Sequence, residues 1–357
     1  VQSLIITQEL HHILGARVFV KNSVKQVFQI LRYAGFLIKN RRPTRPTLYV
    51  LTYHRTLPKG DSRREYEQPG MMIAPELIAK HAEWMKRLGA IPISLERWTK
   101  EKDSLPANIY FAVTFDDGWR DNAEFAIPLL TKEKIFSTIF LVADYIEHDT
   151  LFWPEKLIYL LKRTFKEAPS AFDQAQFKWL KDLGATLNWS APPDIEQLDP
   201  VINLCKAIDD RTLNNLIDKA ALETFGGEAD TSKTRNLLGQ KDIATLLDEG
   251  GVDFGSHTCR HLRLDKIESD DELEYEIAES RQKIAQSTGK QPKFFCYPNG
   301  NTSEKGVQVV AQNYNAACTT KQGANTPDTP LMQLRRHNLH DGNASSKISF
   351  FATLSNG

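Results

Sequence analysis

Three short polar runs carry the side chains from which a hydrolytic centre can be built. The first closes an apolar stretch, Phe111-Ala112-Val113-Thr114-Phe115-Asp116-Asp117-Gly118, with two adjacent carboxylates. Successive strand side chains point to opposite faces, so both acids can serve one site only if the chain turns sharply, which Gly118 permits. The second run, Ser256-His257-Thr258-Cys259-Arg260-His261, sets two imidazoles four residues apart, a spacing that one helical turn would bring to the same side. Two histidines and one carboxylate, with positions open for water, form the ligand set of a hydrolytic metal centre. The third run is Tyr297-Pro298-Asn299-Gly300. Each run alone has a plainer reading, since Asp-Gly is a common turn and a histidine pair in a surface helix usually arises by accident.

What raises these runs above accident is the set of elements that must position them. From Leu48 onward, short apolar runs alternate with amphipathic segments, the pattern of successive βα units. Strands are expected at Leu48 to Tyr53, Ile91 to Ser94, Tyr110 to Phe115, Ser137 to Val142, Val252 to Ser256, Lys293 to Tyr297, Ala316 to Thr319 and Gln333 to Leu339. Their near-continuous apolar character suits strands buried on both faces. The expected fold is therefore α/β, a distorted (β/α) barrel of seven or eight parallel strands. In such a barrel every strand ends on one rim, where barrel enzymes keep their active sites. Tyr53-His54, Asp116-Asp117, Ser256-His257 and Tyr297 to Gly300 all lie at strand ends, so they should converge there.

Residues 152–240 show several helical stretches and no convincing strand, and are expected to form a helical insertion between two barrel strands. Residues 1–46 form an N-terminal helical segment and linker, and 47–357 the barrel. Within the first segment, Val24 to Ile38 has apolar residues at helical spacing among Lys21, Lys25, Arg32, Lys39, Arg41 and Arg42. Peripheral membrane contact through residues 20–42 is one reading. A helix packed on the barrel with a solvated basic face is the expected one.

In order and at strand ends, Thr114 to Gly118, His257 to His261 and Tyr297 to Gly300 resemble the motifs of the polysaccharide deacetylases, carbohydrate esterase family four (the NodB homology domain). The resemblance runs from about Leu48 to Asp341. It implies Asp116 as catalytic base, Asp117, His257 and His261 as ligands of a divalent metal, and the Asn299 backbone N–H as an oxyanion donor. Zinc is the first expectation for that metal, with cobalt, nickel, manganese or iron as alternatives. Where the family's commonest third motif places an arginine, two prolines and a tyrosine, this chain has Cys296, Tyr297, Pro298 and Asn299. The missing arginine leaves Arg336, in the last strand, as a replacement partner for Asp116. For the general acid, one branch of the family implies His54 and another His340, and His54 is preferred. Trp119, with Tyr297 and Pro298, is the candidate substrate surface; Trp119, Trp153 and Phe152 read equally as rings that stack on sugars or as core residues at the joint with the helical insertion. Cys259 matches no ligand position.

The implied activity is removal of N-acetyl groups from an amino-sugar polysaccharide or its lipid-linked precursor. Alternatives are a deformylase or amidase on a lipid-linked sugar or small cyclic amide, and an inactive carbohydrate-binding protein. Lysine plus arginine and aspartate plus glutamate both number 45, which fits a neutral substrate and gives no argument for nucleic acid. The four cysteines are scattered and read as free thiols. No apolar run is long enough to span a membrane and no leader is evident in Val1 to Leu14, so the expected place is cytoplasmic or peripheral to a membrane, or periplasmic if a leader has been lost.

Overall fold

The computed structural model describes residues 26–146, 148, 150–187, 191–228 and 236–356. Val1 to Leu14, with Lys21, Val24 and Lys25 of the basic segment, lies outside the described residues. The core is one curled sheet of parallel strands: β1 (Thr47–Tyr53), β2 (Ile91–Pro92), β3 (Ile109–Phe115), β4 (Ser137–Leu141), β5 (Val252–Ser256), β6 (Phe294–Cys296), β7 (Ala316–Cys318) and β8 (His337–Asn338). Their order is β8-β1-β3-β4-β5-β6-β7, with β2 on β3, as in the deacetylase-type (β/α) barrel.

Two periodic faces explain the strand sequences. Tyr49, Leu51 and Tyr53 of β1 join Phe111, Val113 and Phe115 of β3 in a cluster packed under helices such as Pro75–Arg87. Leu48 and Val50 join Tyr110, Ala112, Phe140, Cys296, Ala316 and Cys318 in a second cluster on the opposite face, the barrel interior. Every residue of β3 is buried as a result. The interior is tight enough that a Cβ on Gly255 would lie 2.5 Å from the Phe140 ring, so the β5 position beside Phe140 admits only glycine.

The predicted strand Gln333 to Leu339 is two pieces. Leu334 bridges Cys318 of β7, whereas His337 and Asn338 pair with Leu51 and Thr52 of β1. The break lets one short segment link the two sides of the curled sheet, with Arg336 between the two pairings. β2, β4, β6 and β7 are shorter than expected by one or two residues, β1 and β3 each start one residue earlier, and β5 has the expected bounds.

Between β4 and β5 the chain forms the helices Trp153–Glu167, Lys178–Asp182, Ile195–Cys205 and Asp210–Phe225. They surround their own apolar cluster, including Leu157, Leu161, Phe177, Leu198, Ile202, Leu213 and Ile217. Ahead of the barrel, residues 26–39 are helical. Tyr33 stacks on Phe351 and Phe36 packs on Tyr49, which docks one side of this helix against the barrel. No helix among the described residues is long and apolar enough to cross a membrane.

Candidate active site

Strand alternation brings the first two polar residues together. Val50 and Ala112 are paired in register, and so are Thr52 and Thr114, whose hydroxyls lie 2.9 Å apart. Two residues further on, the same interior face presents His54 and Asp116, with His54 Nε2 at 3.8 Å from Asp116 Oδ2. By simple alternation Asp117 would point away. It does not, because Asp117 and Gly118 both adopt positive φ, 71° and 77°, and fold the chain back over the rim.

The histidine pair converges differently from the sequence expectation. Residues 257–263 form a loop after β5, not a helical turn. Thr258 and His261 hold left-handed conformations, φ 67° and 61°, and the Thr258 hydroxyl accepts the His261 N–H at 2.8 Å. A tight turn thus replaces the helix. The outcome for the imidazoles is the same: His257 Nε2 and His261 Nε2 each lie 3.4 Å from Asp117 Oδ1. Four of the five non-glycine residues at positive φ among the described residues, Asp117, Thr258, His261 and Asn299, sit at this rim. Such backbone costs about 1 kcal/mol or more per residue and is retained where surrounding structure imposes it.

Asp117, His257 and His261 fit a metal ion by their donors. The His257 ring donates from Nδ1 to the Cys296 carbonyl at 2.7 Å. A carbonyl only accepts, so Nδ1 carries a proton and Nε2 is the ring atom turned toward Asp117. Burial pushes the Asp117 carboxyl up, but its hydrogen bonds with His257 and His261 together more than offset that and hold it well below the usual range. Asp116, His257 and Cys296 form a second cluster within ligand reach. It fits less well. Both Asp116 oxygens are held by Arg336, and burial raises the Cys296 thiol well above its ordinary pKa, so it stays protonated. Cys259 is buried, with its sulfur on the Tyr275 carbonyl at 3.3 Å.

Arg336 donates Nη1 to Asp116 Oδ1 at 2.7 Å and Nη2 to Asp116 Oδ2 at 2.8 Å, and its Nε is fixed on the Thr319 carbonyl at 2.9 Å. Burial pushes the Asp116 pKa up, but Arg336 more than offsets it and the carboxyl lies below its usual range. The guanidinium also reaches Cys296 Sγ at 3.0 Å, so it occupies the space beside the thiol.

These residues line one cavity of about 230 Å³, with Thr52, Met71, Tyr297, Asn299, Thr320 and Asn338. Organic ligands usually occupy about 300–1,000 Å³, so this cavity suits a pendant group and part of a ring. Asn299 is exposed in the turn Pro298–Gly300, and no described residue accepts its backbone N–H. Tyr297 and Pro298, expected to bind substrate, are buried, and the Tyr297 hydroxyl donates to the Met332 carbonyl at 3.1 Å. Tyr297 therefore supports the cavity floor. His340 is not part of the lining; its Nδ1 accepts the Gly342 N–H at 3.2 Å and caps the helix Asp341–Ala344.

Residues 212–316 match the polysaccharide deacetylase family profile. The match covers less than half of the chain. The matched span includes both histidines and Asn299 and is narrower than the Leu48 to Asp341 stretch over which the motifs run. No curated protein matches this chain by sequence. Its fold is similar to a polysaccharide deacetylase of Bacillus cereus (18% identity, TM-score 0.53, 87% of this chain and 69% of that one). It is also similar to IcaB from Ammonifex degensii (16%, TM-score 0.53, 88% and 100%) and to the Streptococcus pyogenes deacetylase PplD in complex with acetate (17%, TM-score 0.51, 82% and 92%).

Several residues around the site have partners that the sequence did not signal. Trp119, a candidate to stack on sugar, is 1% exposed. One face lies under the Arg55 guanidinium, 4.0 Å from the ring centre, and Phe152 packs beside it. Its Nε1 donates to Asp117 Oδ2 at 3.0 Å. Phe152 and Trp153 are likewise buried, Phe152 with its ring 4.8 Å from that of His261. Asp210, in the insertion, accepts Trp153 Nε1 at 3.1 Å and the Arg263 backbone N–H at 3.0 Å, which ties the insertion to the histidine loop. Residues this far apart in sequence leave no local pattern to read.

Proposed function

We propose that the protein is a divalent-metal-dependent N-deacetylase acting on an N-acetylated amino-sugar polysaccharide or its lipid-linked precursor. The observation that carries this reading is the convergence of Asp117, His257 and His261 beside an ionised Asp116 that Arg336 keeps off the ligand cluster. A cation held by those three residues, with zinc the first choice for this donor set, supplies charge that polarises an amide carbonyl and acidifies water. Asp116 takes the proton from the attacking water, its oxygens oriented by Arg336. The Asn299 N–H, free of an acceptor among the described residues, donates to the oxyanion as the carbonyl becomes tetrahedral. His54, beside Asp116 in the cavity, delivers a proton to the departing amine. The small cavity receives the acetamido group while the rest of the glycan lies outside.

Acetate release from N-acetylglucosamine oligomers tests this reading. Activity is expected to vanish with chelator, return with zinc or cobalt, and fall at least about 1,000-fold in Asp116→Asn. Full activity in that variant would reject the assigned base.

One observation favours the lipid-linked form of the substrate. The helix over residues 26–39 has a second apolar face, turned away from the barrel, on which Val27, Phe28, Ile30, Leu31 and Ile38 are 50–77% exposed. Arg32, Lys39, Arg41 and Arg42 flank it. An apolar stripe with basic flanks suits an anionic lipid surface.

A further inference from the structure

We infer that Trp119 is a positioning residue that keeps Asp117 a single-oxygen ligand. This rests on the metal-centre reading above and extends it to a residue that touches neither ion nor substrate. The two oxygens of Asp117 have different partners: Oδ1 lies 3.4 Å from both His257 Nε2 and His261 Nε2, whereas Oδ2 accepts the Trp119 indole N–H at 3.0 Å. A carboxylate can bind a cation through one oxygen or both, and hydrogen bonds from beyond the ligands decide which. With Oδ2 occupied, three protein donor atoms face the ion and its other positions stay open for water and the substrate carbonyl, as hydrolysis requires.

The indole is built to hold that bond. Its face is covered by the Arg55 guanidinium, and the cation attracts the ring's electron density, which makes the N–H a stronger donor. Arg55 is itself fixed, donating Nε to Asp121 Oδ2 at 3.0 Å and pairing with Glu67 at 3.4 Å, and all of these groups are buried. Phe152 packs on Trp119 and on His261, so one ring braces the indole and the imidazole together. A buried chain from Asp121 and Glu67 through Arg55 and Trp119 thus ends on one oxygen of a metal ligand.

Cobalt(II) is the probe, because its visible absorption weakens as ligand atoms are added. Two variants separate the N–H from the ring: Trp119→Phe, and replacement of Trp119 by benzothienylalanine, which keeps the bicyclic shape and substitutes sulfur for the N–H. Both are expected to bind cobalt with a weaker visible band than the parent, as Oδ2 fills an open position. Both should lose about ten- to a hundredfold in kcat, with KM little changed. Parent-like spectra and kcat in the benzothienylalanine protein would overturn the role of the indole N–H. A parent protein that takes up no cobalt would overturn the metal-centre reading itself.

Discussion

Arg336 grips Asp116 by two parallel hydrogen bonds of 2.7 and 2.8 Å, although the two residues are 220 positions apart. The guanidinium comes from the segment between Leu334 and β8 and not from Cys296, where the family resemblance places an arginine. Its charge holds the Asp116 carboxyl ionised against burial. Arg336→Lys keeps the charge but loses the fork, and a misplacement of this kind costs about 100-fold in kcat. Arg336→Gln leaves a buried carboxylate unpaired, with an expected loss of about 3–5 kcal/mol of stability. The Asp116 pKa then rises. Since the base acts ionised, the acid limb of the pH–rate profile should move to higher pH in Arg336→Gln, and an unmoved limb would count against Asp116 as the base.

His54 and His340 have different surroundings. His54 faces the cavity at 3.8 Å from Asp116, and its buried Nδ1 has no partner among the described residues. His340 spends its Nδ1 on a helix cap. A proton donor matters for an amine leaving group and little for p-nitrophenolate. His54→Gln should therefore lower deacetylation about 100- to 10,000-fold while leaving hydrolysis of p-nitrophenyl acetate largely intact. His340→Ala should leave kcat near the parent value and cost about 0.5–2 kcal/mol in a denaturation experiment, the usual range for a lost cap. Equal loss on both substrates in His54→Gln would remove His54 as the acid.

The barrel and its rim were legible because burial on both faces of β1 and β3 writes continuous apolar runs, and those runs stop where the polar residues begin. Period-two alternation even accounts for His54 and Asp116 sharing a face. The turn that brings back Asp117 was half legible: Gly118 advertised it, but Asp117 shares the positive φ and nothing in an aspartate requires that. The histidine loop was misread as a helix for a similar reason. Thr258 and His261 are held left-handed by tertiary contacts, and four-residue spacing looks the same in a helix or a tight turn. Trp119 read equally as a sugar platform or as core, because aromatic residues near a rim suit both. Its burial depends on Arg55 and Phe152, which approach from other elements.

The outward face of the N-terminal helix makes a prediction independent of catalysis. Parent protein should sediment with vesicles containing anionic lipid and less so as salt is raised, since screening weakens the basic flank. Leu31→Glu replaces a residue 62% exposed at the centre of the stripe. Burying a leucine is worth about 1.5–3 kcal/mol, so vesicle affinity should drop at least about tenfold with no change in activity on soluble oligomers. Parent protein that ignores anionic vesicles would dismiss the membrane reading.

Acid should destabilise the fold through His81. Its ring is buried between the Tyr53 hydroxyl, 3.0 Å from Nδ1, and the Ala344 carbonyl, which accepts from Nε2 at 2.7 Å. Burial lowers its pKa from 6.5 to about 4, and His337 is lowered to about 4 in the same way. Between those values the unfolded chain binds protons that the folded chain refuses, so stability is full above pH 6.5 and falls as pH drops toward 4. Each histidine contributes about 3 kcal/mol to that loss, at about 1.4 kcal/mol per pH unit. Glu67 and Glu155 act with the opposite sign. Burial raises both carboxyl pKa values, and for Glu155 the neighbouring Glu67 charge adds to the rise, so the folded chain takes up their protons first. The comparison that isolates the imidazole is His81→Gln, whose amide can still accept from Tyr53 and donate to Ala344. Urea unfolding at pH 7 and pH 5 should show a smaller acid loss in His81→Gln than in the parent, by about 2 kcal/mol. Equal losses in the two proteins would mean that His81 does not titrate in this window.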